Sequence, residues 1–134
     1  MISINFSCEH LGLAALDPVA LRDWYVKTLG ARQLLELAHT PPAFMIELTG
    51  GMRLEIYQAD FAMRLTCDNK LRGWRHLALH VSNLEATKSE LEERGVKFTE
   101  AIKPAGGGGR VLFFTDPEGN LFHLVERPEG FVLE

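Results

Sequence analysis

Cysteine is nearly absent: Cys8 and Cys67 are the only two in 134 residues. Two thiols without framework spacing do not make a disulfide scaffold and fit a reducing cytoplasm. Long apolar runs are missing too. None approaches the roughly 20 residues that span a bilayer, so no membrane partner is expected. The stretch "MISINFSCEH" has neither a basic segment nor a long apolar one, so no export signal is expected and cytoplasmic is the default location. Positive charge is scarce: 14 Lys and Arg stand against 18 Asp and Glu, for a net charge of −4 and a pI near 5.7. The basic residues are scattered among acids, and without a basic stripe nucleic acid is not expected as a partner. What remains is a chain 46% apolar and 24% charged, the composition and size of a single globular domain with one proper core.

The chain writes one pattern twice. "EHLGLAALD" near the start and "RHLALHVSN" near the middle are both histidine-led and alternate apolar with small or polar residues, as strands do. After the first, Asp17 is placed to cap a helix that opens with Pro18, carries Leu21, Trp24, Tyr25 and Thr28 on one side and stops at Gly30. The strands "ARQLLELAH", "AFMIEL" and "MRLEIYQ" follow, broken by "TPP" and "TGG". After the second, Asn83 precedes the helix "LEATKSELEERG", which stops at Gly95. "VKFTEAI" and "RVLFFT" then read as strands, "DPEG" as a turn and "NLFHLVE" as the last strand. Asp17 aligns with Asn83, Gly30 with Gly95, Thr49 with Thr115 and Glu55 with His123. Two amphipathic units can look alike by chance, but five elements in order with matched stops point to an internal duplication. The boundaries predicted are module 1 over about 1–58, a linker over 59–73, module 2 over about 74–128 and a tail over 129–134, all within a single domain over 1–134.

Sorting each strand by alternation puts His10 with Cys8, Gly12 and Ala14, and Glu55 with Arg53 and Tyr57. His76 falls with Ala78 and His80, and His123 with Leu121 and Val125. Three imidazoles and one carboxylate thus stand on the first and last strands of the repeats, away from the leucines that pack on the helices. Such donors suit Zn, Ni, Fe, Co or Mn as divalent ions. A lone strand histidine is more often a packed or surface residue than a ligand, and Glu55 alone reads equally as a solvated edge carboxylate. Their repeat-related placement favours a metal site.

These stretches, with "WYVKTLGA", "RLEIYQ" and above all the ending "GGRVLFFTDPEGNLFHLVE", resemble the vicinal oxygen chelate superfamily over nearly the whole chain. That superfamily spans glyoxalase I-like, bleomycin resistance and extradiol dioxygenase proteins. The resemblance implies an α+β fold of two βαβββ modules forming a cupped sheet with helices on the outer face. It also implies one divalent metal per site, bound by His10, Glu55, His76 and His123. Family habit implies pairing of modules within one chain or across a dimer, and a homodimer is expected.

One residue departs from the family pattern. Glyoxalase-like members usually carry a glutamate where this chain has His123, and Glu126 falls on the opposite face. Three neutral imidazoles with one carboxylate leave a divalent ion at formal charge +1 rather than neutral, with one fewer carboxylate to serve as base. The expected activity is a metal-dependent lyase or isomerase acting on a small hydroxycarbonyl or thiol-adduct substrate. Glu55 would be the proton-moving group, and His80, further along the same strand face as His76, would assist or simply pack. The alternatives are an extradiol-type dioxygenase, for which His10, His76 and Glu55 supply two histidines and a carboxylate, and a protein that sequesters a drug or metabolite without chemistry. "GGGG" at 106–109 lacks the Lys-Ser/Thr of a phosphate loop and reads as a flexible connection. Arg53 and Arg110 are candidates for holding an anionic substrate. Phe61, Met63 and Leu65 in the linker read as packing on a neighbour or bordering the site.

Overall fold

A computed structural model describes residues 3–63 and 66–132, and Leu65 lies outside the described residues. The chain divides into two compact units, residues 1–62 and 63–134. In the first, β1 (Leu11–Ala15) leads to α1 (Pro18–Leu29), then β2 (Arg32–Leu37), β3 (Ala43–Glu47) and β4 (Arg53–Gln58). In the second, β5 (His76–His80) leads to α2 (Leu84–Glu93), then β6 (Lys103–Pro104), β7 (Arg110–Thr115) and β8 (Leu121–Glu126). Each unit is a βαβββ module with one mixed four-stranded sheet, ordered β1-β4-β3-β2 and β5-β8-β7-β6.

The duplication holds in register. Gly12 pairs with Glu55 across the parallel β1–β4 ladder, and Ala78 pairs with His123 across β5–β8. Gly12 stands two residues after His10, and Ala78 two after His76. The helices start as their caps require. Asp17 Oδ1 accepts from the Ala20 amide at 3.0 Å, and Asn83 Oδ1 accepts from the Ala86 amide at 2.9 Å. Gly30 ends α1 in the left-handed conformation with φ 70°, a geometry costly for any residue with a Cβ.

Alternation then separates core from site. In module 1, Phe44, Ile46, Leu54 and Ile56 are buried on the face that meets Leu21 and Tyr25 of α1. In module 2, Leu112, Phe114, Phe122 and Leu124 do the same towards α2. Full burial of a side chain of this size contributes roughly 1.5–3 kcal/mol. The opposite face of each sheet carries Glu55 or His123 among apolar neighbours.

One expected strand did not form. Residues 96–102, "VKFTEAI", run as an irregular connection, and the ladder is made only by Lys103↔Val111 and Pro104↔Arg110. The Val96 amide closes the end of α2 on the Leu91 carbonyl at 2.9 Å, and Phe98 packs against Phe114 with centroids 5.6 Å apart. The apolar side chains thus reach the core without backbone pairing. Pro104, lacking an N–H, fits only a sheet edge, and β6 is that edge.

Candidate metal centre

His76 opens β5 and His123 sits in the middle of β8, on the face that also carries Ala78, His80, Leu121, Val125 and Phe113. The two imidazoles lie side by side, with ring centroids 4.6 Å apart, and Phe113 lies 4.9 Å from the His123 ring and 5.8 Å from that of His76. The register that makes this contact is set by the β7–β8 turn. Asp116, 3% exposed, accepts the amides of Glu118 and Asn120 at 2.9 and 3.0 Å, and its other oxygen takes the Asn120 side-chain amide at 2.7 Å. The "DPEGN" motif therefore aligns Phe113 opposite His123.

In module 1, Glu55 lies half-buried on the face opposite α1, beside Gly12 and Met45. Its carboxylate makes no hydrogen bond or ion pair among the described residues. His10 stands just before β1, two residues from Gly12, and is not itself part of the ladder. Tyr57 shares the Glu55 face and leans over β1: a Cβ on Gly12 would come within 3.3 Å of its ring.

The three histidines share a feature that the sequence reading missed. His10 Nδ1 is 2.8 Å from Glu9 Oε1, His76 Nδ1 is 2.7 Å from Asn69 Oδ1, and His123 Nδ1 is 3.3 Å from the Leu124 carbonyl. Each acceptor fixes the tautomer with the proton on Nδ1 and leaves the Nε2 lone pair to act as donor, the arrangement typical of metal-ligating histidine. Glu9 was adjacent to His10 in the sequence and could have been suspected. Asn69 carries no local signal, since only the fold brings it back to His76.

Electrostatics agree with neutral imidazole at the centre of module 2. Burial pushes His123 below the ordinary value of 6.5, its backbone bond to Leu124 pulls the other way, and the His76 and Arg127 charges push it lower again. Among the described residues neither module gathers three His, Cys, Asp or Glu side chains fit to hold an ion. The candidates divide by module: His10 and Glu55 lie in the first, and His76 and His123 lie against one another in the second.

A family model described as "Glyoxalase/Bleomycin resistance protein/Dioxygenase superfamily" matches residues 7–124. The chain belongs to that superfamily. A glyoxalase family protein from Enterococcus faecalis is 27% identical with TM-score 0.76, covering 90% of this chain and 97% of its own. The superfamily fold is shared by the fosfomycin resistance protein FosX of Listeria monocytogenes, solved with Mn(II) and 1S,2S-dihydroxypropylphosphonic acid. That match has TM-score 0.68 at 18% identity and covers 96% of this chain and 94% of that one. The YaeR protein of Escherichia coli (strain K12) is 25% identical over 122 residues, 89% of this chain and 95% of its own. As a member of the superfamily, the chain has the fold that its motifs implied.

Two other expectations change. Arg110 donates to both oxygens of Glu85 at 2.5 and 2.9 Å and to Glu126 at 2.8 Å, which leaves its charge spent within the fold. Arg53 shares Glu47 with Arg32 at 3.2 and 3.0 Å. The glycine run is pinned rather than flexible: Arg127 Nη1 donates to the Gly106 and Gly108 carbonyls at 2.5 and 2.7 Å. His80 is exposed, and its alignment with Val125 places it beyond His123 on the same face, away from His76.

Proposed function

We propose that this protein is a divalent-metal-dependent lyase or isomerase of the glyoxalase type, acting on a small oxygenated substrate. His10, Glu55, His76 and His123 are its metal ligands. The observation that carries the reading is the common engagement of all three Nδ1 atoms by oxygen acceptors, which presents three Nε2 lone pairs. The donor set fits a borderline ion: nitrogen and carboxylate oxygen are ligands for Zn, Ni, Fe, Co or Mn. When bound, the ion supplies Lewis acidity, strengthened by having only one carboxylate among its ligands.

The chain's own residues supply the rest. Glu55 is the one carboxylate of the set, and it accepts the proton from the carbon beside a substrate carbonyl. Unpaired with any cation in its module, it is not tied down by a competing salt bridge. Burial, and after it the neighbouring His76 and Arg127, disfavour a proton on His123. Phe113 packs against both rings of the pair. His80 stands further along the face, where it meets substrate rather than metal. Phe6, Phe61, Met63 and Trp74 are each about two-thirds exposed or more, which supports a homodimer. The cytoplasm remains the proposed location.

The test is deuterium exchange. The metal-loaded protein is incubated in D₂O with α-hydroxycarbonyls and hemithioacetals, and label is followed into the carbon beside the carbonyl. Wild type should exchange, and Glu55→Gln should lose exchange by about 10²–10⁴-fold. Oxygen uptake with catechols under Fe²⁺, without exchange, would hand the case to a dioxygenase. Ligand binding with neither reaction would indicate sequestration.

A further inference from the structure

We propose that Arg127, Lys103 and His80 form an anion-binding subsite on the site face of module 2, so that the substrate is a small acid carrying a carboxylate, phosphonate or phosphate group. The inference rests on the proposed function for the identity of the site, but the subsite itself needs no metal.

Register places these residues. His80 aligns with Val125, Val125 with Val111, and Val111 with Lys103, so one row across the sheet runs from β5 to β6 on the face that carries His123. Strands lie about 4.8 Å apart, so the row spans about 14 Å with a positive or protonatable side chain at each end. The small aliphatic Val111 and Val125 form its floor. Arg127 follows the end of β8 directly, two residues past Val125 in the same alternation. The imidazole pair and the cations therefore occupy one face, separated by about 7–13 Å along the strand.

Arg127 is held in a form suited to recognition. Its Nη1 is bound to the Gly106 and Gly108 carbonyls, and its guanidinium stacks on Phe131 at 4.5 Å. Both partners are neutral. A guanidinium has five N–H donors, so the Nε and Nη2 donors remain, and among the described residues no carboxylate meets them. Of the arginines discussed above, Arg32, Arg53 and Arg110 are neutralised by glutamates. A half-buried guanidinium fixed by neutral groups, with unused donors, is preorganised for an oxyanion. Lys103 Nζ lies 4.9 Å over the Phe113 ring, the ring that touches His123, and only 3.5 Å from Glu100 in a loose exposed pair. It is placed to swing onto a ligand that enters between Phe113 and Arg127.

Metal-stripped full-length protein is titrated with methylphosphonate, acetate and the neutral ester dimethyl methylphosphonate by calorimetry. At least one anion should bind saturably and the ester should not, and the tighter anion names the substrate's acidic group. Arg127→Gln should weaken binding at least about tenfold, the loss of a charge-assisted contact, and Lys103→Gln a few-fold. Arg32→Gln should change nothing. Because Arg127→Gln also releases the glycine loop, Arg127→Lys is run beside it: charge is kept while the fork and its hold on the loop are lost, and binding should fall between that of Arg127→Gln and wild type. Equal binding of ester and anions, or no loss in Arg127→Gln, would overturn the subsite. So would a loss in Arg127→Lys as large as in Arg127→Gln. Saturable anion binding by a protein that never takes up metal would keep the subsite and remove the proposed function.

Discussion

The two modules have the same order of elements and the same strand register, yet they hold their candidate ligands very differently. In module 2 the pair is built into the sheet. His123 is buried in the strand at the centre of its ladder, against the His76 ring, with the "DPEGN" turn fixing its level. In module 1, His10 precedes the ladder and leans on the exposed Glu9, and Glu55 has no partner among the described residues. The charge clusters are inverted as well. Module 1 places two arginines on one glutamate, Glu47, and module 2 places two glutamates on one arginine, Arg110. The duplicated fold thus builds one pair of candidates into its sheet and leaves the other at the sheet's margin.

The largest expected contrast is between two glycines. A Cβ on Gly109 would sit 2.0 Å from the Glu126 carbonyl at φ +92°, so Gly109→Ala forces the backbone to move and should cost about 2–4 kcal/mol in denaturant melts. Gly12→Ala meets only the swinging ring of Tyr57 and should cost under about 1 kcal/mol. Comparable losses would mean that module 1 is held as tightly as module 2.

Next come the groups that orient the histidines. Asn69→Ala should weaken metal binding about 10–100-fold, the usual effect of removing a ligand's hydrogen-bond partner. Glu9→Ala should have a smaller effect, because Glu9 is 79% exposed and water can replace it. Competition titrations with a chromophoric chelator separate the two, and an equal loss would erase the distinction between the two modules.

The smallest effect lies in acid. Hydrogen bonds from Arg110 hold the Glu85 carboxyl down at about 2, and the Leu84 amide with Arg110 holds Glu126 below its ordinary 4.5. Both folded values are depressed, so the stabilisation is present above the unfolded value. It is lost as pH falls from about 4.5 through the folded values, for Glu85 down to about 2. Arg110→Gln should flatten the stability profile in that window, and high salt should do so in part, since the cluster is exposed. An unchanged slope would show that the cluster does not contribute.

Local rules made much of this legible. The caps at Asp17 and Asn83, the stop at Gly30, the "DPEG" turn and the period-two alternation each act within a few residues, so the repeat and the face assignments could be read before any contact was known. Contacts across long stretches could not. "VKFTEAI" has strand composition, but its apolar residues pack without backbone pairing, as Phe98 does on Phe114, and the ladder is left to Lys103 and Pro104. Arg110 read as an available cation until Glu85, 25 residues away, was brought onto it. The run of four glycines looked loose because nothing in it signals Arg127 and Phe131 closing over it. At the candidate centre, strand alternation picked out the histidines and Glu55, whereas Asn69 and the Leu124 carbonyl emerge only once the chain is folded.

The most direct measurement is the metal content of protein purified without a nickel column, compared with that of His76→Ala and His123→Ala. The account predicts one divalent ion per chain in the wild type. It predicts near-complete loss in both variants, with circular dichroism unchanged because neither side chain belongs to the helix-facing core. Wild-type protein that takes up none of Zn, Ni, Fe, Co or Mn, or full occupancy in His123→Ala, would contradict it.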